Sequence, residues 1–139
     1  MLLDTLFIIW TSAVLQFANL LLTSYLSTAP RRDLLVSQLV SAAFQGLLIG
    51  FSSYSLYIGS VSEIIPCLLF GYLLYDLINM LTKPFGKPAY EIYVHHVAVL
   101  TIMVLIKTCT RYTIALLVQL IIILESSSWM LNITNIGKQ

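Results

Sequence analysis

Long apolar runs, separated by short polar and charged segments, organise this chain of 139 residues. A bilayer core about 30 Å thick is crossed by a helix of about 20 residues. Against that length, the apolar runs predict five spanning helices, over residues 5–27, 34–58, 62–82, 90–107 and 112–133. We therefore expect an all-α fold, a polytopic transmembrane bundle of about five helices.

Charged and turn-forming residues mark the breaks between these runs. Arg31, Arg32 and Asp33 separate the first two helices, and the Lys-Pro-Phe-Gly-Lys-Pro segment at 83–88 separates the third from the fourth. Most of the basic residues fall on one side of the predicted membrane. Because basic residues concentrate in cytosolic loops, we expect the N-terminus on the luminal or extracellular side.

Composition agrees with a membrane environment and excludes one class of partner. The chain is 59% hydrophobic and 9% charged, whereas a soluble domain carries about 25% charged residues. Its formal net charge is +1, and binding to nucleic acid depends on phosphate neutralisation by many Lys and Arg side chains. We expect membrane lipids as partners and no nucleic acid; the sequence identifies no protein partner.

Four ionisable residues within the predicted spanning segments are the candidate site residues: Asp76, His95, His96 and Glu125. Such groups cost at least ~2.5–3.5 kcal/mol at the centre of a spanning helix, which makes them candidates for function. At a rise of about 1.5 Å per residue, Asp76, His95 and Glu125 each lie about 10 Å from the cytosolic face. Three successive helices are therefore predicted to place ionisable groups in one polar layer.

Two uses of this polar layer fit the residues. In the first, a histidine accepts a proton from a hydroxyl or an amine while Asp76 or Glu125 holds its tautomer. In the second, the side chains form interhelical hydrogen bonds that fix the packing, each contributing ~0.6 kcal/mol. Adjacent histidines on a helix point about 100° apart, which suits them poorly to shared metal binding, and no HExxH spacing is present. We expect no metal and no cofactor.

Residues that suit helix–helix contact are also visible. Gly46, Gly50 and Gly71 are small enough to let two helices approach closely. Tyr72 and Asn79 share one face of the third helix with Asp76, at the spacing i, i+4 and i+7. We expect that face to point into the bundle rather than toward lipid.

Three segments together carry a family resemblance. They read Gly71-Tyr-Leu-Leu-Tyr-Asp76-Leu-Ile-Asn79, Tyr90-Glu91-Ile-Tyr-Val-His95-His96 and Leu124-Glu125-Ser-Ser127-Ser-Trp-Met-Leu-Asn132. The chain resembles the TLC-domain family of membrane proteins over about residues 31–136. That family includes ceramide synthases and translocation-associated membrane proteins. The resemblance implies an N-terminal transmembrane helix at 1–30 and a TLC-like transmembrane domain at 31–139, which we expect to be incomplete at its C-terminus.

The resemblance is nearest to one subgroup. Ceramide synthases carry a His-Asp pair in the helix that follows the paired histidines, where this chain offers Gln119 and Glu125. The short loops and the Glu-x-Ser pattern look more like the small plasma-membrane TLC-domain proteins. That likeness implies a multi-pass protein that regulates membrane phospholipid composition and fluidity, limiting the incorporation of polyunsaturated chains.

An enzymatic alternative stays open at this point. It is a ceramide-synthase-like membrane acyltransferase, with the paired histidines His95 and His96 in its catalytic site together with Asp76 and Glu125. We favour the non-enzymatic role. The same subgroup favours the plasma membrane as the location, with the endoplasmic reticulum as the alternative.

Overall fold

The computed structural model describes residues 2–26, 32–60, 62, 64–82, 94–101 and 112–137. Helix α1 is Leu2–Tyr25, α2 is Arg32–Tyr57 and α3 is Ile64–Thr82. A fourth helical segment, α4, is described over residues 94–101, and α5 is Tyr112–Ile136. Across the described residues no strand is present, so the predicted all-α fold is confirmed.

The helix ends lie close to the predicted ones. The largest differences are at the start of α1, predicted at residue 5 and observed at Leu2, and at the end of α5, predicted at residue 133 and observed at Ile136. Both helices continue past the apolar run that predicted them. Of the predicted helix at 90–107, only 94–101 lies within the described residues.

Four of the described helices are long and apolar enough to cross a membrane: α1, α2, α3 and α5. Large apolar side chains cover their outer surfaces, including Trp10, Phe17, Leu47, Leu81 and Ile123. A soluble protein rarely exposes contiguous apolar patches larger than a few hundred Å². The chain is therefore a membrane protein whose outer surface faces lipid.

Helix α2 contacts three others, α1, α3 and α5, and it packs most extensively against α5. Helix α1 packs mainly against α3. The residues in contact advance together along α1 and α3, from Thr11 at Gly71 to Asn19 at Tyr75, so these two helices run parallel. Apolar side chains from α1 to α5 fill the space between the helices, among them Leu15, Val36, Leu69, Val99 and Val118.

Gly71 is where α1 and α3 approach most closely. A Cβ atom at this position would lie 2.5 Å from Thr11 Cβ and 2.8 Å from the backbone oxygen of Ile8. The prediction for Gly71 is thus confirmed, and at Gly46 a Cβ would lie 3.3 Å from Trp129 Nε1 of α5. For Gly50 the prediction is wrong, because it lies on the exposed side of α2 and no atom of the described residues lies within 4 Å of a Cβ there.

Candidate functional site

A buried polar face runs along α2. Its members are Ser37, Ser41, Gln45, Ser52 and Ser55. The spacings of three, four and seven residues keep them on one side of a helix with 3.6 residues per turn. Since α2 is packed against three other helices, this face lies in the interior of the bundle, where it meets the predicted ionisable residues.

Asp76 of α3 is the acceptor of the first cluster. Ser41 Oγ donates to Asp76 Oδ1 at 3.1 Å, and the Tyr72 hydroxyl donates to Oδ2 at 3.1 Å. His96 Nε2 of α4 lies 3.2 Å from the same Oδ2. Each oxygen of the carboxyl therefore has a partner from inside the bundle. We call Asp76, Ser41, Tyr72 and His96 the aspartate cluster.

The two adjacent histidines have different surroundings. His96 is 6% exposed and pairs with Asp76, whereas His95 is half-buried. Their rings stand edge to face, with centroids 5.7 Å apart. The divergence follows from the rotation of about 100° between neighbouring residues of a helix. His96 makes the hydrogen bond to Asp76, whereas the contact of the His95 ring in this group is with the ring of His96.

Glu125 of α5 belongs to a second cluster. It is 1% exposed, and its Oε2 accepts a hydrogen bond of 2.9 Å from Gln45 Nε2. Gln45 Oε1 in turn accepts one of 3.0 Å from Asn132 Nδ2. Gln45 thus bridges two residues that lie two turns apart on α5. We call Glu125, Gln45 and Asn132 the glutamate cluster.

The two clusters are neighbours because their α2 members, Ser41 and Gln45, are one helical turn apart. Glu125, held by Gln45, therefore lies about one turn of α2 away from the serine that binds Asp76. Of the four predicted site residues, the structure therefore joins Asp76 and His96 directly. It places Glu125 beside them and His95 at the edge of the group.

The arrangement gives the histidine–aspartate pair a defined chemistry. A carboxyl that bonds to one imidazole nitrogen fixes the orientation and the tautomer of the ring, as in hydrolytic triads. The described part of the chain contains no group of three or more His, Cys, Asp and Glu side chains that could hold a metal ion.

Helix α2 contributes polar residues to the site that were not predicted from the sequence. Gln45 joins the acceptor Glu125 and the donor Asn132 of α5, and Ser41 donates to Asp76 in the aspartate cluster. The signal was the helical spacing of the polar residues in an otherwise apolar segment, and it was overlooked because none of them is ionisable. Ser52 on the same face is fully buried, and its hydroxyl has no hydrogen-bond partner among the described residues.

Comparison of the chain with protein-family models, with curated proteins and with solved structures finds no match.

Proposed function

We propose that this protein is a TLC-domain-like multi-pass membrane protein that regulates the phospholipid composition of its membrane. By limiting the incorporation of polyunsaturated acyl chains, it would set membrane fluidity. Two things support the proposal. The three segments that resemble the family contribute Asp76, His96 and Glu125, and these residues lie together inside a bundle of membrane-spanning helices.

The observation that carries the non-catalytic form of this proposal is the internal pairing of the polar layer. Both oxygens of Asp76 have partners, Glu125 is fully buried against Gln45, and His96 is almost fully buried. A polar network satisfied in this way rigidifies and specifies a core. The surface offered to lipid is instead the apolar exterior of the helices, which supports a protein that acts through contact with lipid chains rather than through turnover.

Quantitative lipidomics tests this function. Cells lacking the protein are made to express the wild type or the His95→Ala/His96→Ala variant at matched levels. We expect both proteins to lower the polyunsaturated fraction of the phospholipids and to leave ceramides unchanged. A wild type that leaves phospholipid unsaturation unchanged at normal abundance would overturn the proposal.

A second candidate function, a membrane acyltransferase, is favoured by the pairing of His96 Nε2 with Asp76 Oδ2 at 3.2 Å. In that reaction an imidazole takes the proton of an amine or a hydroxyl, which attacks the carbonyl carbon of an acyl thioester. The new C–N or C–O bond replaces the C–S bond, and the thiolate leaves and is protonated.

His95 provides the matched control for this candidate, since His96 and not His95 makes the hydrogen bond to Asp76. If the acyltransferase function holds, an acylated product appears with the wild type and with His95→Ala, and disappears with His96→Ala. Product formation by a folded His96→Ala protein excludes His96 as the base.

For the location we propose the plasma membrane. Surface biotinylation of intact cells is expected to label the protein with a cell-impermeant reagent. Retention of the whole pool with endoplasmic reticulum markers would contradict this location and support the alternative one.

A further inference from the structure

The glutamate cluster is a chain of hydrogen bonds with a direction. Asn132 Nδ2 donates to Gln45 Oε1, and Gln45 Nε2 donates to Glu125 Oε2. A primary amide carries its acceptor oxygen and its donor nitrogen on opposite branches. Because Asn132 occupies the oxygen of Gln45, the nitrogen of Gln45 faces Glu125. The donor at Asn132 and the acceptor at Glu125 therefore fix the orientation of the Gln45 amide together.

Burial makes this direction consequential. Gln45 is 2% exposed and Glu125 is 1% exposed, and a buried polar group that loses its partner costs about 1–3 kcal/mol. Bulk water cannot replace the amide at this position. The orientation of the Gln45 amide consequently decides whether the Glu125 carboxyl accepts or donates a hydrogen bond beside His96 and Asp76.

We propose that Gln45 is a positioning residue of the polar layer: with its amide oriented by Asn132 and Glu125 together, it fixes the Glu125 carboxyl beside the His96–Asp76 pair. The inference goes beyond the proposed function, because it assigns a role to Gln45, a residue that is not among those quoted for the family resemblance. It applies whether the layer is catalytic or specifies the packing.

Exchanging the donor and the acceptor at the two ends of this chain of hydrogen bonds tests its direction. In Asn132→Asp the donor at the start becomes an acceptor, so Gln45 must turn its nitrogen toward residue 132 and its oxygen toward Glu125. Two acceptors then meet unless Glu125 donates a proton. We expect the unfolding midpoint to fall by about 3 °C, the equivalent of roughly one lost hydrogen bond.

Adding Glu125→Gln to this variant supplies a donor at residue 125. The hydrogen bonds can then reverse their direction: residue 125 donates to Gln45, and Gln45 donates to the new acid at residue 132. We expect the unfolding midpoint of N132D/E125Q to recover at least half of the decrease caused by Asn132→Asp. The matched control is N135D/E125Q, which makes the same pair of changes with the acid three residues farther along α5, and its effects are expected to add. If the effects of the two single substitutions on the unfolding midpoint also add in N132D/E125Q, the proposal is overturned.

Infrared spectroscopy gives a second readout that simple loss of packing does not mimic. Subtracting the spectrum of the Glu125→Gln protein isolates the carboxyl band of Glu125 in lipid nanodiscs. We expect Asn132→Ala to shift this band although residue 132 does not touch Glu125, while Ser127→Ala on the exposed side of α5 leaves it in place. An unchanged band in folded Asn132→Ala also overturns the proposal.

Neither readout depends on an effect of the protein on lipids. Failure of the lipidomics experiment would remove the proposed function and leave these results standing. Failure of the exchange experiment would remove only the role of Gln45.

Discussion

Two regions of the bundle bury polar side chains in opposite ways. Where α1 meets α3, the polar groups are neutral: Asn19 Nδ2 donates to the Tyr75 hydroxyl at 2.7 Å, and the helices close together at Gly71. In the polar layer around α2, ionisable groups face one another, with His96 paired to Asp76 and Glu125 nearby.

The two regions differ in what they contribute: one to the stability of the bundle, the other to the specificity of its helix arrangement. Neutral hydrogen bonds between membrane helices contribute about 0.6 kcal/mol each, and close packing adds dispersion contacts. An ionisable residue costs at least ~2.5–3.5 kcal/mol at a helix centre, and a buried ion pair is often no more stable than apolar side chains of the same volume. We infer that the α1–α3 contact stabilises the bundle, whereas the polar layer specifies how α2 to α5 are arranged.

The largest effect is expected from breaking the close contact of the α1–α3 region. Gly71→Leu places side-chain atoms where Thr11 and the Ile8 backbone oxygen already lie, and we expect a loss of about 3 kcal/mol in the free energy of unfolding. Unfolding of the purified protein by SDS titration measures it. Gly50→Leu is the matched control, since a Cβ there meets nothing within 4 Å; equal losses in both variants would refute the contact.

A smaller loss is expected from breaking the aspartate cluster. Asp76→Ala removes the acceptor of Ser41, Tyr72 and His96 at once, and we expect a cost of about 2 kcal/mol from the loss of three membrane hydrogen bonds. Asp76→Asn keeps one acceptor oxygen and is expected to lose less in the same titration. If Asp76→Ala unfolds with the wild-type midpoint, the cluster does not hold α2, α3 and α4 together.

The same substitution made in both regions sharpens the comparison. Tyr72→Phe deletes a hydroxyl that donates to a carboxyl, and Tyr75→Phe, three residues away, deletes a hydroxyl that accepts from a neutral amide. Hydrogen bonds to charged groups are about twice as strong as neutral ones. We expect losses of about 1.2 and about 0.6 kcal/mol respectively. A larger loss for Tyr75→Phe would contradict a stronger hydrogen bond at Tyr72 than at Tyr75.

Sequence reasoning could predict the helices because lipid imposes their length and their apolar character. The spanning length of about 20 residues was nearly enough to predict the helices between Arg32 and Tyr57 and between Ile64 and Thr82. Depth along each helix could also be estimated from the rise per residue, which is why Asp76 and Glu125 were expected at one level. Those quantities are local to each segment.

Pairings between helices were beyond reach for a different reason. Whether His95 or His96 meets Asp76 depends on the rotation of α4 about its axis, and that rotation is set by packing against neighbouring helices. Gln45 was missed because the candidate residues were chosen as ionisable groups, and the amide of Gln45 is neutral. Its importance comes from the position of Glu125 and Asn132, 80 and 87 residues farther along the chain.

The pairing of α1 with α3 also has a consequence for how the chain enters a membrane. Asn19 finds its partner Tyr75 only 56 residues later, and at about 5–20 residues per second that stretch takes about 3–11 s to synthesise. During this interval α1 is synthesised without the α3 groups that Gln16 and Asn19 meet in the folded bundle, the backbone oxygen and the hydroxyl of Tyr75. The α1–α3 contact therefore forms only after α3 has emerged, as a step separate from the synthesis of α1.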